Sequence, residues 1–447
     1  MDRKKTLTLA GRLLGMLGLT ALLLLWWLQH PCGPWGRAAA LVSAALFALL
    51  GLRFIPRWVD FWSDSPLPAA PDAKEPRGMG LRIFFSLWCL DLLILLAAWR
   101  LRAALGHSGG FSETLGFWRF TDSQHYLAIA EDWYLSEGEI GRLVQLVFLP
   151  GYPVLVRLMR ALTGDTLTAG LLLSALCFAG AGTLFYRLLR LDLPHEASLR
   201  SLLFLCLLPG SFFYAAPMSE SLFLLCSLGC VYLARRGRWF WGGLCGAWAA
   251  FTRSLGLMLL APLAMELVAE AVREKTPVRK LLPRAASLLL VPLGFAAYCL
   301  VNYQVAGNPF QFMIYQSEHW SQHLGLFFNT ASYQTELLID CFSTNPRNFL
   351  GLWLPNLIYS LGALGLIAAA AARLRPSYTA WFIAYYVIAI GATWLLSAPR
   401  YLMAMPVLPA AIGLLTEKEH AKTGAVIVLS MLWLLYFFAF LQQWQVW

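Results

Sequence analysis

Residues 167–188 read LTAGLLLSALCFAGAGTLFYRL, a run of 22 residues whose one charged side chain, Arg187, stands near its end. A helix of that length rises roughly 33 Å at ~1.5 Å per residue, enough to cross a hydrocarbon layer ~30 Å thick. Comparable apolar stretches fall at 6–28, 38–52, 82–100, 200–216, 219–235, 239–253, 255–271, 284–304, 351–372, 377–397, 401–416 and 423–441. Composition agrees with them: of 447 residues 59% are hydrophobic and 13% charged, with mean hydropathy +0.62. A soluble domain carries roughly a quarter of its residues charged. The stretches are helix-length rather than the alternating strands of ~10 residues that build a barrel. The sequence therefore predicts an all-α polytopic membrane protein of about 13 transmembrane helices.

Cytoplasmic loops are enriched in Lys and Arg. With the N-terminus inside, 23 of the 34 basic residues fall on the cytoplasmic side. The net charge of +10 then reflects topology and anionic lipid headgroups, and nucleic acid is not an expected partner. No A-x-A site follows the first apolar stretch, so it is read as a retained helix. Seven of the nine cysteines lie inside predicted spans, while Cys32 and Cys341 fall outside the membrane and leave a disulfide open.

Three regions emerge. Residues 1–80 form a two-helix hairpin ending in a Pro-rich cytoplasmic linker, SDSPLPAAPDAKEPRG (63–78). Residues 81–304 hold seven spans and a long outer loop, 101–166, and residues 305–447 hold a second outer loop, to about 350, and four spans. The absence of internal repeats argues against a transporter built on inverted repeats.

The first outer loop contains FWRFTDSQHYLAIAEDW (117–133), which gathers Arg119, Asp122, His125, Glu131 and Asp132 in an otherwise lipid-soluble chain. Charge beside a bilayer is costly unless it is paired, hydrated or used. Tyr126, Ile129, Ala130 and Trp133 recur at i, i+3, i+4 and i+7, the pattern of an amphipathic helix lying on the membrane. Asp122 starts that helix, where an aspartate is also a favoured N-cap worth about 1 kcal/mol. YPVLVRLMRALTG (152–164) reads as a second interfacial helix. On the same face lie Glu220 in the turn PMSES, Arg253 in FTRSLG and Arg400 in SAPRY. A guanidinium holds phosphate bidentately and stays charged near lipid, so two arginines beside a carboxylate suit a lipid-phosphate substrate.

Five segments, in order, resemble the PIG-V-type mannosyltransferases, glycosylphosphatidylinositol mannosyltransferase II and its bacterial relatives. They are FTDSQHYLAIAEDWY (120–134), FLPGYP (148–153), SFFYAAPMSESLFLL (211–225), ARRGRWFWGGLCGAWAAFTRSLG (234–256) and SAPRYLMAMPVLP (397–409). The resemblance covers roughly residues 82–416 and implies a GT-C glycosyltransferase fold. It also implies a polyprenyl-phosphate-linked sugar donor, usually of mannose, an extracytoplasmic active site, and Asp122 as catalytic base. Thr121 stands where the family usually has Trp, and the N-terminal hairpin is extra.

For an inverting transfer, Asp122 takes the proton of the attacking acceptor hydroxyl, and Arg253 and Arg400 stabilise the departing lipid phosphate. Gln124, His125, Tyr126 and Tyr401 are candidate contacts to sugar or phosphate, and Glu220 is placed to orient Arg253 or to touch the acceptor. In SEHWSQH (317–323), Glu318, His319, Trp320 and His323 form a candidate ligand patch, and H-x-x-x-H alone is no metal site. No cofactor or metal is expected. Asp91, in mid-span, is expected to pair with a neighbouring helix near Arg12. The expected reaction moves a hexose, mannose, to a glycolipid, polysaccharide or protein acceptor, in a bacterial plasma membrane or, in a eukaryote, the endoplasmic reticulum. The rival reading is a lipid-linked sugar flippase or transporter, which needs ionisable groups near the bilayer midplane.

Overall fold

The computed structural model describes residues 3–62, 75–107, 109–135 and 144–446. Most of the Pro-rich linker, 63–74, lies outside the described residues, as do 136–143 of the first outer loop. Among the described residues there is no strand, only an isolated antiparallel bridge between Leu324 and Ala392.

The chain opens with the hairpin α1 (Arg3–Gln29) and α2 (Pro34–Phe61), followed by α3 (Met79–Ala104). The first outer loop contributes α4 (Phe111–Leu115), α5 (Ser123–Asp132) and α6 (Gly151–Thr163). Next come α7 (Thr166–Leu189), α8 (His195–Leu207), α9 (Glu220–Arg235), α10 (Trp239–Thr252) and α11 (Leu260–Arg273). The pair α12 (Val278–Leu288) and α13 (Leu290–Ala306) leads into a second outer loop built from α14 (Gln311–Trp320) and α15 (Phe327–Thr344). The last helices are α16 (Leu354–Ala370), α17 (Pro376–Ile390), α18 (Ala398–Met403), α19 (Val407–Leu415) and α20 (Glu419–Leu441).

Among the described residues, eight helical stretches are long and apolar enough to cross a bilayer: α1, α2, α3, α7, 254–273, 278–306, 346–370 and α20. The other five apolar stretches form helices of 9 to 16 residues. The helix α8 stops before Pro209 and Gly210, the latter at φ 89° in the left-handed region, and α17 stops at Gly391. These short helices sit inside the bundle, with α9 packed between α7 and α10. Among the long ones α1, α3 and α20 turn many apolar side chains outward, Leu13, Leu14, Leu17 and Leu28 of α1 among them, whereas α7 is largely buried.

The apolar stripe of α5 faces protein instead of lipid. Tyr126, Leu127, Ile129 and Ala130 are buried, with Tyr126 edge-on to Tyr152 of α6 at 5.7 Å. The helix α6 supplies an apolar surface that α5 covers, and it turns its own Leu158 and Leu162 outward.

The hairpin docks on the second outer loop. Trp26 Nε1 donates to Asn329 Oδ1 (2.9 Å), and Gly33 N donates to Glu336 Oε1 (2.5 Å). A Cβ on Gly36 would stand 2.6 Å from both Glu336 Oε1 and Ser332 Oγ, so a larger residue there would displace these side chains where α2 meets α15. Arg12 donates to Leu52 O (3.0 Å) within the hairpin. The expected pairing of Asp91 near Arg12 is thereby corrected: α3 packs on α7, α1 packs on α2, and both Asp91 carboxylate oxygens are buried without a hydrogen-bond partner. All nine thiols, Cys32 and Cys341 included, are free.

Each end of α9 carries an ion network. At its C-terminal end Arg235 pairs with Asp192 (Nη2 to Oδ1, 2.9 Å), and Arg375 grips Glu266 with two bonds of 2.7 Å. Arg375 also reaches Asp192 (3.2 Å) and closes the cluster.

Candidate active site

The N-terminal end of α9 carries the other network. The chain enters α5 through Thr121, a β-branched residue at φ 57°, a left-handed conformation that costs about 1–3 kcal/mol. Its hydroxyl donates to Phe120 O (2.7 Å), and Ser123 Oγ donates to the same oxygen (2.9 Å). Asp122 itself is helical (φ −67°, ψ −18°), and its side chain caps nothing. The carboxylate is turned instead toward Arg400, whose Nη1 donates to Oδ2 at 2.7 Å.

Glu220 holds the arginines together. Its Oε1 accepts from Arg400 Nε (2.8 Å), Arg400 Nη2 (2.6 Å) and Arg253 Nη1 (2.8 Å). Arg253 Nη1 also donates to Ser219 Oγ (3.3 Å), which shares a hydrogen bond with Tyr126 OH (2.9 Å). Each guanidinium has an aromatic ring beneath it, Tyr401 at 4.9 Å from Arg253 and Phe213 at 5.4 Å from Arg400. Arg253 leaves α10 in extended conformation (φ −148°, ψ 136°), and Gly256 N returns to its carbonyl (2.8 Å). Gly151 of FLPGYP lets α6 abut this end of α10: a Cβ there would lie 2.9 Å from Phe251 O and Thr252 Cα.

Exposure grades the four charges. The side chains of Glu220, Arg400, Arg253 and Asp122 are 0%, 4%, 11% and 29% exposed. Glu220 is a buried brace, Arg400 stands behind Asp122, and Asp122 and Arg253 offer the most surface.

They open on a cavity of about 180 Å³. Of the residues singled out in the sequence, Asp122, Tyr126, Arg253, Trp320, Arg400 and Tyr401 line it. Glu220 lies behind the lining. Gln124 is exposed on the outer side of α5. His125 stacks on Phe148, a lining residue, at 4.6 Å. Burial pushes its imidazole pKa down, and the nearby Asp122 charge opposes the shift. Burial pushes the Tyr126 phenol pKa up, against the pull of the Arg253 charge. His319 is exposed, its ring 5.8 Å from Tyr315. Among the described residues no three His, Cys, Asp or Glu side chains converge.

The lining also contains residues that sequence reasoning passed over, including Gln316, Gln322 and Trp394. Trp394 lies where a continuous span over 377–397 was expected. The chain leaves the helix at Gly391 and runs irregularly to Ser397. Backbone without internal hydrogen bonds is tolerated at such a depth only when protein satisfies it or it lines a cavity. Both hold here. Thr330 donates to Ile390 O (2.6 Å) and Ala392 O (3.1 Å), and Gln334 donates to Leu395 O (3.0 Å). Leu395 N donates to Tyr333 OH (2.7 Å), and Asn356 bonds Leu396 O (2.9 Å) and Ala398 N (2.6 Å). The signal for the break was Gly391 followed by the Ser-Ala-Pro of 397–399.

Fold and site together define a polytopic, all-α membrane protein with a braced carboxylate and two guanidiniums lining a cavity at one end of its bundle. Residues 109–320 match the family model described as Mannosyltransferase (PIG-V), so the resemblance read from the sequence holds. The matched region holds Asp122, Glu220, Arg253 and Trp320. GPI alpha-1,6-mannosyltransferase 2 of Homo sapiens is 35% identical over 152 residues, 31% of this chain and 29% of that protein. The proteins of the same name from Rattus norvegicus and Mus musculus are 35% identical over 149 residues and 34% over 151, again covering 31% and 29% of the two chains. This chain thus spans less than a third of the length of the curated relatives it matches.

Proposed function

We propose that this chain is an integral membrane glycosyltransferase. It transfers mannose from a polyprenyl-phosphate-linked donor to a hydroxyl of a glycolipid acceptor, with inversion, on the extracytoplasmic face. The observation that carries the reading is the Asp122 carboxylate, the most exposed member of the ion cluster, held by Arg400 on a cavity that Arg253 also lines. The relatives' shared name supports mannose as the sugar and a glycolipid as the acceptor.

The acceptor oxygen attacks the anomeric carbon while Asp122 takes its proton. The bond from that carbon to the phosphate oxygen breaks, and its electron pair leaves with the polyprenyl phosphate. Charge grows on that phosphate, and Arg253, already oriented by Glu220, stabilises it most directly. Arg400 orients the base through one nitrogen while two others hold Glu220. The lipid phosphate is itself the leaving group, so the step needs no nucleotide.

The test uses the full chain in lipid nanodiscs with dolichyl-phosphate mannose and alkyl-glycoside acceptors. Asp122→Asn is expected to lower transfer by roughly 10²–10⁴-fold, the range for loss of a general base, with donor binding retained. Normal turnover by this variant rejects Asp122 as base. One observation speaks for a transporter: Asp91, buried and without a hydrogen-bond partner midway along α3. It lines none of the cavities described, and a flux assay with Asp91→Asn decides that reading.

A further inference from the structure

Part of the lining of the same cavity carries no charge. Gln316 and Trp320 come from α14, Gln322 from the turn after it, and Trp394 from the irregular segment. Trp394 is fixed in place, with Tyr333 stacked on it at 5.5 Å and 17° between planes, and Trp353 edge-on at 5.7 Å. Gln322 Nε2 donates to Trp394 O (2.9 Å), which leaves the amide oxygen and one N–H unspent. Among the described residues the Gln316 amide has no hydrogen-bond partner, although its backbone carbonyl accepts from Gln322 N (3.0 Å).

We infer that this wall binds a hexose ring of the acceptor. A sugar ring presents C–H groups on its faces and hydroxyls at its edge, each hydroxyl both donor and acceptor. Indole rings cover the former, and planar amides, which also donate and accept, match the latter. None of these four side chains is a cation that could hold phosphate, so charge sorts the substrates: the donor's phosphate goes to Arg253 and the neutral ring to the uncharged lining. Only the word acceptor rests on the transferase reading; ring binding itself needs no turnover.

The experiment is saturation-transfer difference NMR on the full chain in nanodiscs, with empty nanodiscs as blank. The probes are octyl α-mannoside, octyl β-glucoside and octyl N-acetyl-β-glucosaminide. Wild type is expected to saturate the ring protons of at least one probe. Gln316→Ala and Trp320→Ala should each weaken binding of that ring about tenfold, the loss of one to two good polar or stacking contacts. Their thermal midpoints serve as the folding control, and Trp394→Phe, which keeps a ring between Tyr333 and Trp353, is the second variant. Ring saturation absent in wild type for all probes, or unchanged in both α14 variants, overturns the inference. No mannose transfer by wild type to any acceptor would overturn the transferase reading and leave the uncharged lining standing as a ring-binding site.

Discussion

Glu220 Oε1 accepts three hydrogen bonds from two guanidiniums, and the side chain has no exposed surface. Removing one partner of a buried ion pair leaves the other's charge uncompensated, at a cost of about 3–5 kcal/mol. Glu220→Gln is therefore expected to destabilise the chain by about that amount in mixed-micelle unfolding, and by more than Asp122→Asn, because Asp122 is partly solvated. Thr121 gives a prediction at the same scale. Glycine takes φ 57° without strain, but it loses more chain entropy on folding and gives up a buried side chain that bonds Phe120 O, so the effects of Thr121→Gly on stability oppose one another. Its melting temperature should change little while kcat falls, because the rigid entry that turns Asp122 from capping to Arg400 is lost. The four charges were legible in the sequence because each is anomalous in an apolar chain. Gln316 and Trp394 were not: an amide and an indole beside apolar runs carry no such anomaly, and only the break at Gly391 brings Trp394 to the cavity.

Among the elements, α15 connects the hairpin to the cavity wall. Its outer side receives Trp26 and Gly33 through Asn329 and Glu336, while Thr330, Tyr333 and Gln334 lace the irregular segment. Gly36→Leu places a side chain where Glu336 and Ser332 already stand. It is expected to lever α2 from α15 and loosen the wall, raising acceptor KM severalfold with donor KM unchanged; equal changes in both would place the effect elsewhere. Apolar periodicity located α2, α5 and α6, but it left α15 inside the second outer loop and did not find the partner of α5's stripe. An amphipathic helix in a loop reads the same whether it lies on lipid or on α6, because both surfaces are apolar.

At the scale of the whole molecule, two ion networks tie the bundle at opposite ends of α9, one at Glu220 and one at Arg235. Hydropathy located eight crossing helices well and left the five shorter ones ambiguous, since a stretch of 9 to 16 buried residues looks the same in a sequence whether or not it reaches both faces. Between its two clusters α9 rises only about 22 Å, against a hydrocarbon layer of ~30 Å. The remaining depth at one rim is filled by protein, by water or by a locally thinned bilayer. A membrane that resists thinning should leave the tethered sugar farther from Asp122, so turnover is expected to fall when dimyristoyl lipids are replaced by dierucoyl lipids, with the melting temperature little changed. Equal rates in both would mean that this depth is filled without thinning of the bilayer. The thickness of the surrounding sheet would otherwise act as a governor on the reaction, set by the host's choice of fatty acids.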